Sequence, residues 1–130
     1  YIRDGLGSPT VNHKGGIMKK ILIMIVCIPL INACKPSEKD FISIGETVVR
    51  ESLKDPDSAK FESFYHKVGD NDGYVCGNVN ARNSYGGYTG RKEYFVFIET
   101  ESGKLKNNGP VTIVSDSDSN ALEKYKLFCQ

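Results

Sequence analysis

The feature that most constrains this chain is an apolar run near its N-terminus, because the run decides which residues are left to fold. Residues 18–33 (MKKILIMIVCIPLINA) begin with a methionine and two lysines, continue through an apolar core and end on a small residue. A secretory signal peptide has the same order, with a core of about 7–15 residues. A transmembrane helix needs roughly 20 apolar residues, and Pro29 would break the last turn of so short a core. The run therefore predicts a signal peptide rather than a membrane span.

The residues that end this run resemble the bacterial lipobox. Ile31-Asn32-Ala33-Cys34 supplies an aliphatic residue, a tolerant position, a small residue and a cysteine. In lipoproteins with this motif the thiol is joined to lipid as a thioether before the signal is cut away, and the cysteine becomes the first residue. We therefore expect Cys34 to be lipidated. An ordinary secretory signal or a membrane anchor with an incidental cysteine is the alternative.

The run also divides the chain into segments. Residues 1–17 lack an initiator methionine and apolar periodicity, and we expect them to be a mis-annotated upstream leader. The remaining organisation is a signal peptide at 18–33, a lipidated tether at 34–36 and a single small domain at 37–130. Only Lys35 and Pro36 separate Cys34 from the first predicted helix. The domain should therefore sit close to the membrane.

The charge of the mature chain argues against nucleic acid as a partner. The full chain has 17 basic and 16 acidic residues, of which four basic residues and one acidic residue precede Cys34. The 97 residues from Cys34 onward therefore carry a formal charge of −2. Nucleic-acid binding is expected from a clustered basic surface, and no basic cluster survives in this part of the sequence.

Two cysteines remain to pair with each other. Cys27 lies in the signal peptide and Cys34 would carry lipid, which leaves Cys76 and Cys129. In an oxidising compartment such a pair usually forms a disulfide bond. A zinc site or a redox pair fits less well, because no histidine cluster accompanies these cysteines and the C-x-x-C spacing is absent. A domain of this size buries a modest core, so the bond would add substantially to its stability.

Apolar periodicity in the mature chain predicts an α+β fold. A helix capped by Ser37 carries an apolar stripe and ends before Pro56. Four strands rich in aromatic and β-branched residues follow, at 60–68, 74–81, 91–99 and 111–114. The third is apolar on both faces, which places it centrally in an antiparallel sheet. A Ser/Asp cluster at 115–120 then caps a closing helix at 121–128, which a Cys76–Cys129 disulfide would tie to the sheet.

Two segments of the domain resemble a family of small uncharacterised bacterial envelope lipoproteins. The family pattern runs D-P-x-S-A-x-F, then V-C-G-x-V-N-A-x-N-S-x-G-G-Y-x-G, then an aromatic strand and a C-terminal cysteine. Here the matching residues are Asp55–Phe61, Val75–Gly90 and Cys129. The closing helix of the family often carries a tryptophan, which this chain lacks, and Tyr125 or Phe128 would fill its place. The resemblance implies an envelope lipoprotein and transfers no biochemical function.

The segment that joins the second and third predicted strands is the candidate binding loop. Its residues are Asn83, Tyr85, Gly86, Gly87, Tyr88, Gly90 and Arg91. Glycine allows positive φ or close backbone approach, and tyrosine offers a large amphipathic contact area. The segment is either a recognition loop for an envelope protein or glycan, or a tight connection. In the second case its tyrosines lie back on the sheet while Asn80 and Asn83 bond the turn backbone.

No residue pattern predicts catalysis or a bound metal. Residues 116–120 imitate the start of a calcium loop, but Ala121 and Leu127 stand where that loop needs glycine and glutamate. Helix capping is the simpler role for this cluster. His66 has no partner nearby in the sequence and is expected at the surface or at a sheet edge. We therefore expect no enzyme activity and no cofactor.

The sequence thus predicts a lipid-anchored envelope protein that binds another envelope component, a protein or a glycan. Lys35 rather than aspartate follows Cys34. By resemblance to the sorting rule of enteric bacteria, this favours the outer membrane, with the domain facing the periplasm. An inhibitor or an immunity/exclusion-type lipoprotein that blocks a hydrolase, toxin or phage step is the alternative.

Overall fold

The computed structural model of the protein describes residues 35–130; the predicted leader, the predicted signal peptide and Cys34 lie outside the described residues. Two helices and five strands make up the domain, and a short 3₁₀ helix at Pro56–Ser58 precedes the first strand. The elements are α1 (Glu38–Glu51), β1 (Lys60–Lys67), β2 (Asp72–Asn80), β3 (Lys92–Glu101), β4 (Lys104–Asn108), β5 (Thr112–Ile113) and α2 (Ser119–Cys129). Neither α1 nor α2 has the length and apolar character needed to cross a membrane. The predicted α+β class is confirmed.

Helix α1 begins at the cap that the sequence predicts. The backbone N–H of Ser37 donates to Asp40 Oδ2 (2.8 Å), and the backbone N–H of Asp40 donates to Ser37 Oγ (3.3 Å). This reciprocal pair is a capping box, and it satisfies amide groups that a helix start leaves without partners. The backbone hydrogen bond from Ser37 is the main cause that lowers the pKa of the Asp40 carboxyl. The buried face of the helix consists of Phe41, Gly45 and Val49.

The five strands form one antiparallel sheet in which β3 is central. The order is β1-β2-β3-β4, and β5 pairs with the first half of β3 on the edge that β4 uses further along. Tyr94, Val96 and Ile98 of β3 are fully buried, and Phe95 is nearly so. Both faces of β3 are therefore covered, as its apolar residues on both faces predict.

The last part of the sheet differs from the prediction of a single fourth strand at 111–114. The structure has an additional hairpin strand, β4, and only Thr112–Ile113 pair as β5. Ser102 and Gly103, which connect β3 to β4, both have positive φ (53° and 76°), as in the tight turns that suit hairpins. Every residue of β4 is exposed. No apolar alternation marks this strand in the sequence, so periodicity does not predict it.

The two helices pack on opposite faces of the sheet, because successive residues of a strand point to opposite sides. The core under α1 contains Phe41, Val49, Val75, Val79, Tyr94, Val96 and Ile98. The smaller core under α2 contains Cys76, Phe95, Val114, Ala121, Tyr125 and Cys129. The predicted disulfide bond between Cys76 of β2 and Cys129 of α2 is present. It ties the closing helix to the middle of the sheet.

A polar contact lies within the core beneath α1. The hydroxyl of the buried Tyr94 lies 2.5 Å from Ser63 Oγ, which in turn donates to Glu46 Oε1 (2.8 Å). Ser63 has one hydroxyl hydrogen and donates it to Glu46, so the Tyr94 hydroxyl is the donor to Ser63, and burial raises the pKa of Tyr94 to about 12. Gly77 of β2 is the register partner of both Ser63 and Tyr94. Because glycine has no side chain, the two polar side chains can meet across β2.

Lys35 and the loop between β2 and β3 lie at opposite ends of the sheet. Helix α1 runs antiparallel to β1, since Phe41 stacks on Tyr65 (4.3 Å between ring centroids) while Arg50 lies over Phe61 (4.9 Å). Lys35 accordingly lies near the β1–β2 turn, where it lines a depression with Lys67 and Asp70. The β2–β3 loop (residues 81–91) lies at the opposite end. Most of the length of β2 separates the two ends, a distance of about 23 Å at 3.3 Å per residue.

Candidate functional site

The β2–β3 loop is held in place by the side chains of two asparagines. Asn83 Oδ1 accepts the backbone N–H groups of Tyr85 (3.0 Å) and Gly87 (3.2 Å), and Asn80 Oδ1 accepts that of Gly90 (3.2 Å). The backbone N–H of Asn83 also donates to the carbonyl oxygen of Gly87 (2.9 Å). Gly90 has a φ of 92°, a conformation that favours glycine. The asparagines therefore bond the turn backbone, as the hypothesis of a tight connection requires.

Tyr88 lies back on the segment that precedes β1. Its hydroxyl donates to the carbonyl oxygen of Ser58 (3.2 Å), and the ammonium of Lys60 lies 4.9 Å from its ring centroid. A single β-bridge pairs Tyr88 with Arg82 across the loop. About half of the Tyr88 side chain is covered as a result. The contacts of this tyrosine serve to attach the loop to the domain.

The same segment holds the loop through a buried serine. Ser58 Oγ donates to the carbonyl oxygen of Asp55 (2.7 Å) and accepts the backbone N–H of Arg82 (2.9 Å). Arg82 Nε also forms an ion pair with Asp55 Oδ2 (3.0 Å). These contacts are not visible in the sequence, because Ser58 and Arg82 lie 24 positions apart. The structure brings the segment before β1 and the start of the β2–β3 loop together.

Tyr85 differs from the rest of the loop because its side chain is 96% exposed. It forms no hydrogen bond or aromatic contact through its side chain within the described residues. Space is also open around Gly86 beside it, where an added Cβ would meet no atom within 4 Å. The predicted loop residues thus divide into two groups. Asn83 and Tyr88 hold the loop, whereas Tyr85 projects from it into solvent.

Arg91, the last residue of the predicted loop, lines a polar groove on the α2 face of the sheet. The groove consists of two adjoining hollows of about 500 and 360 Å³, and both are lined by Asn78 and Arg91. The smaller hollow is lined in addition by Lys60, Glu62 and Asn80. The larger is lined by Glu93 and by residues 115–119 ahead of α2.

The strand register orders the side chains of the polar groove into two rows. Glu62, Asn78 and Glu93 are partners across β1, β2 and β3 and form an acidic row. The basic row lies two residues further along β1 and β2 and consists of Lys60, Asn80 and Arg91, the residue immediately before β3, which lines the same hollow. Residues two apart on a strand face the same side, so the rows are about 6.6 Å apart. An acidic row and a basic row therefore lie next to each other, facing the groove.

Internal contacts leave much of this charge accessible. Arg91 Nη2 and Glu62 Oε1 form an ion pair (2.6 Å), but the two side chains are 66% and 60% exposed. Glu93 forms no ion pair with any described residue, and the Asn78 side chain forms no hydrogen bond among them. Among these groove residues, the sequence patterns predicted a binding role only for Arg91. The alternation at 60/62, 78/80 and 91/93, which places these polar side chains on one face, is the signal that could have indicated the groove.

Two further predictions concern residues that could have carried metal chemistry. Asp118 Oδ1 accepts the backbone N–H of Ala121 (3.0 Å), so part of the calcium-like cluster caps α2 as expected. His66 is exposed on β1, which is an edge strand. Between residues 35 and 130, no group of three or more histidine, cysteine or acidic side chains is arranged to hold a metal ion.

Comparison with protein-family models, with curated proteins and with solved structures finds no match to this chain.

Proposed function

We propose that this protein is a non-enzymatic, lipid-anchored bacterial envelope protein that binds another envelope component through the tip of its β2–β3 loop. The observation that carries the proposal is Tyr85, which is 96% exposed on a loop whose backbone Asn80 and Asn83 hold. A loop that is already ordered loses little conformational entropy on binding, and tyrosine supplies contact area with few rotatable bonds. These properties suit a recognition surface.

The position of the loop in the domain supports the same proposal. Lys35 lies near the β1–β2 turn, so a lipid on Cys34 would hold that end of the domain towards the membrane. The loop lies at the other end of β2, about 23 Å along the sheet. Its tip would then face away from the membrane and could reach a protein or glycan in the periplasm.

Photo-crosslinking in living cells tests the recognition loop. An aromatic photo-crosslinking residue at Tyr85 should yield one defined adduct, which mass spectrometry would identify. Tyr88 is the matched control within the same loop, because its ring packs against the domain, and the exposed Glu51 on α1 is the distant control. Adducts that are the same at all three positions, or no adduct at Tyr85, would show that the loop tip does not bind a partner.

The lipid anchor has a separate test. Cys34→Ser should release the protein from membranes into the soluble periplasmic fraction, because the motif then lacks the thiol that receives lipid. Density separation of the membranes from cells with the unaltered chain should place it in the outer membrane, as Lys35 favours. A Cys34→Ser variant that stays bound to membranes would contradict the lipobox.

An inhibitor or immunity/exclusion-type lipoprotein that blocks a hydrolase, toxin or phage step is the second candidate. The observation that favours it is the form of the loop, since an ordered projection with one aromatic side chain at its tip can enter a cleft. Deleting the gene distinguishes the two candidates. An inhibitor should matter only when cells are challenged with the enzyme, toxin or phage, whereas loss of a resident envelope partner should alter unchallenged cells. Complementation with a Tyr85→Ala chain should fail in either case.

A further inference from the structure

We infer that the polar groove binds an α-amino acid zwitterion, meaning a carbon atom that carries both an ammonium group and a carboxylate group. The juxtaposition behind this inference is that of the acidic row (Glu62, Asn78, Glu93) and the basic row (Lys60, Asn80, Arg91) on one face of three neighbouring strands. The site is separate from the loop tip and requires neither Tyr85 nor the lipid anchor.

The spacing of the rows suits such a ligand. The two charged groups of an α-amino acid are bonded to the same carbon and point in different directions. Protein groups that bind them, each at a charge-assisted hydrogen-bond distance of about 2.8 Å, must therefore lie several ångströms apart. The backbones of the rows are about 6.6 Å apart, and once the ion pair between Arg91 and Glu62 (2.6 Å) opens, that spacing leaves room for one zwitterionic carbon between the side chains.

Each row contributes a group with suitable chemistry. The planar guanidinium of Arg91 can donate two parallel hydrogen bonds to the ligand carboxylate. Glu93 can accept from the ligand ammonium, and it has no ion-pair partner among the described residues to displace. The amide of Asn78 lines both hollows and has both donor and acceptor atoms available.

The ion pair between Arg91 and Glu62 does not prevent binding. Its side chains are largely exposed, and ion pairs of this kind contribute little to stability because water solvates both partners. On ligand binding, Arg91 would pair with the ligand carboxylate and Glu62 with the ligand ammonium, and these contacts would replace the ion pair between the two side chains. The acidic row would repel a plain anion and the basic row a plain cation, so a ligand with both charges gains most from the groove.

Two sources in the envelope share this chemistry. One is a free amino acid, and the other is the side-chain end of a diamino acid in a cell-wall peptide, where ammonium and carboxylate also share one carbon. Two-dimensional NMR of the ¹⁵N-labelled full chain, purified in non-ionic detergent, can compare them. The probes are alanine and a wall tripeptide that ends in diaminopimelic acid, with propionate and ethylammonium as single-charge controls at the same ionic strength.

The expected result is a saturable shift of the Asn78, Arg91 and Glu93 amide signals with a zwitterionic probe. Neither propionate nor ethylammonium should reproduce it. Saturation by alanine would identify free amino acids as the source, and saturation by the tripeptide alone would identify the cell wall. Shifts with propionate as large as those with alanine would reveal a plain anion site and overturn the inference. Absence of saturable shifts with both zwitterionic probes would also overturn it.

Single substitutions test whether the shifts of the amide signals arise from binding in the groove. Arg91→Gln and Glu93→Gln should each weaken binding about tenfold or more, since each removes a hydrogen bond to a charged group. Glu99→Gln is the control on the same strand, where the carboxylate pairs with Lys106 (3.5 Å) and does not line the groove. It should leave the affinity unchanged, as should Tyr85→Ala. Unaltered binding by both groove variants, with spectra that show them folded, would refute the site without touching the proposed role of the loop.

Discussion

Gly45→Ala should destabilise this protein even though alanine is the better helix former. Gly45 lies in the middle of α1, on the buried face that packs against the sheet. A Cβ added there would lie 2.5 to 2.7 Å from three side-chain atoms of Val75, closer than carbon atoms approach each other. The glycine therefore allows the helix and β2 to come into contact.

Two opposing effects set the size of the change. Replacing glycine by alanine inside a helix contributes about 1 kcal/mol of stability. Overpacking a core removes about 1–3 kcal/mol. The upper end applies here, because Val75 is fully buried and its Cβ, which no side-chain rotation can move away, is the closest atom. The net loss should be about 2 kcal/mol, or a fall of roughly 10 °C in Tm for a domain of this size.

Urea unfolding measures this difference directly. The chain has no tryptophan, so far-ultraviolet circular dichroism is the appropriate signal. Ser43→Ala, on the exposed side of the same helix, is the control and should be neutral or slightly stabilising. Val75→Ala removes two of the three clashing atoms, so combining it with Gly45→Ala should cost less than the sum of the two single changes. A Gly45→Ala chain as stable as the unaltered protein would refute the proposed close packing.

Three other predictions follow from the core and the loop. Cys76→Ala and Cys129→Ala should each lower the free energy of unfolding in urea by about 4 kcal/mol, because the bond closes a loop over a separation of 53 residues. The double variant should lose no more, and additive losses would contradict the pairing. The unfolded chain releases the Tyr94 proton near its ordinary pKa of 10, while the folded chain retains it up to about 12. The free energy of unfolding should therefore fall by up to about 1.4 kcal/mol per pH unit between those two pKa values. Tyr94→Phe should remove this part of the pH dependence. The same pH dependence in both chains would count against the burial of the hydroxyl. Ser58→Ala should speed hydrogen exchange at the Arg82 amide and lower stability by about 1–2 kcal/mol, because the amide and the Asp55 carbonyl lose their shared partner; unchanged exchange would show that the serine does not hold the loop.

Local features of the domain could be predicted from the sequence because few residues decide them. Ser37 and Asp118 cap their helices through hydrogen bonds to residues only three positions away. The central place of β3 follows from apolar residues on both faces, which the structure buries. The cysteine pair could be predicted because two cysteines, Cys76 and Cys129, are left once Cys27 of the predicted signal peptide and Cys34 of the predicted lipobox are set aside.

Features that depend on distant residues could not be predicted in the same way. Strand β4 is fully exposed, so the backbone register with β3 and a two-residue turn define it rather than any apolar pattern. The sequence allows two roles for the tyrosines of the β2–β3 loop. Contacts with Ser58 and Lys60, far away in the chain, hold Tyr88 against the domain, while Tyr85 has no such neighbours.

The α+β class, the helix caps and the pairing of Cys76 with Cys129 could be predicted without a structure. These depend on periodicity, on hydrogen bonds within one helical turn and on the number of cysteines, all of which can be counted along the chain. Tertiary packing sets which loop residue is exposed and which charged residues share a surface. The polar groove exists because antiparallel register aligns residues from β1, β2 and β3, and that alignment depends on the packing of the whole sheet against α1 and α2.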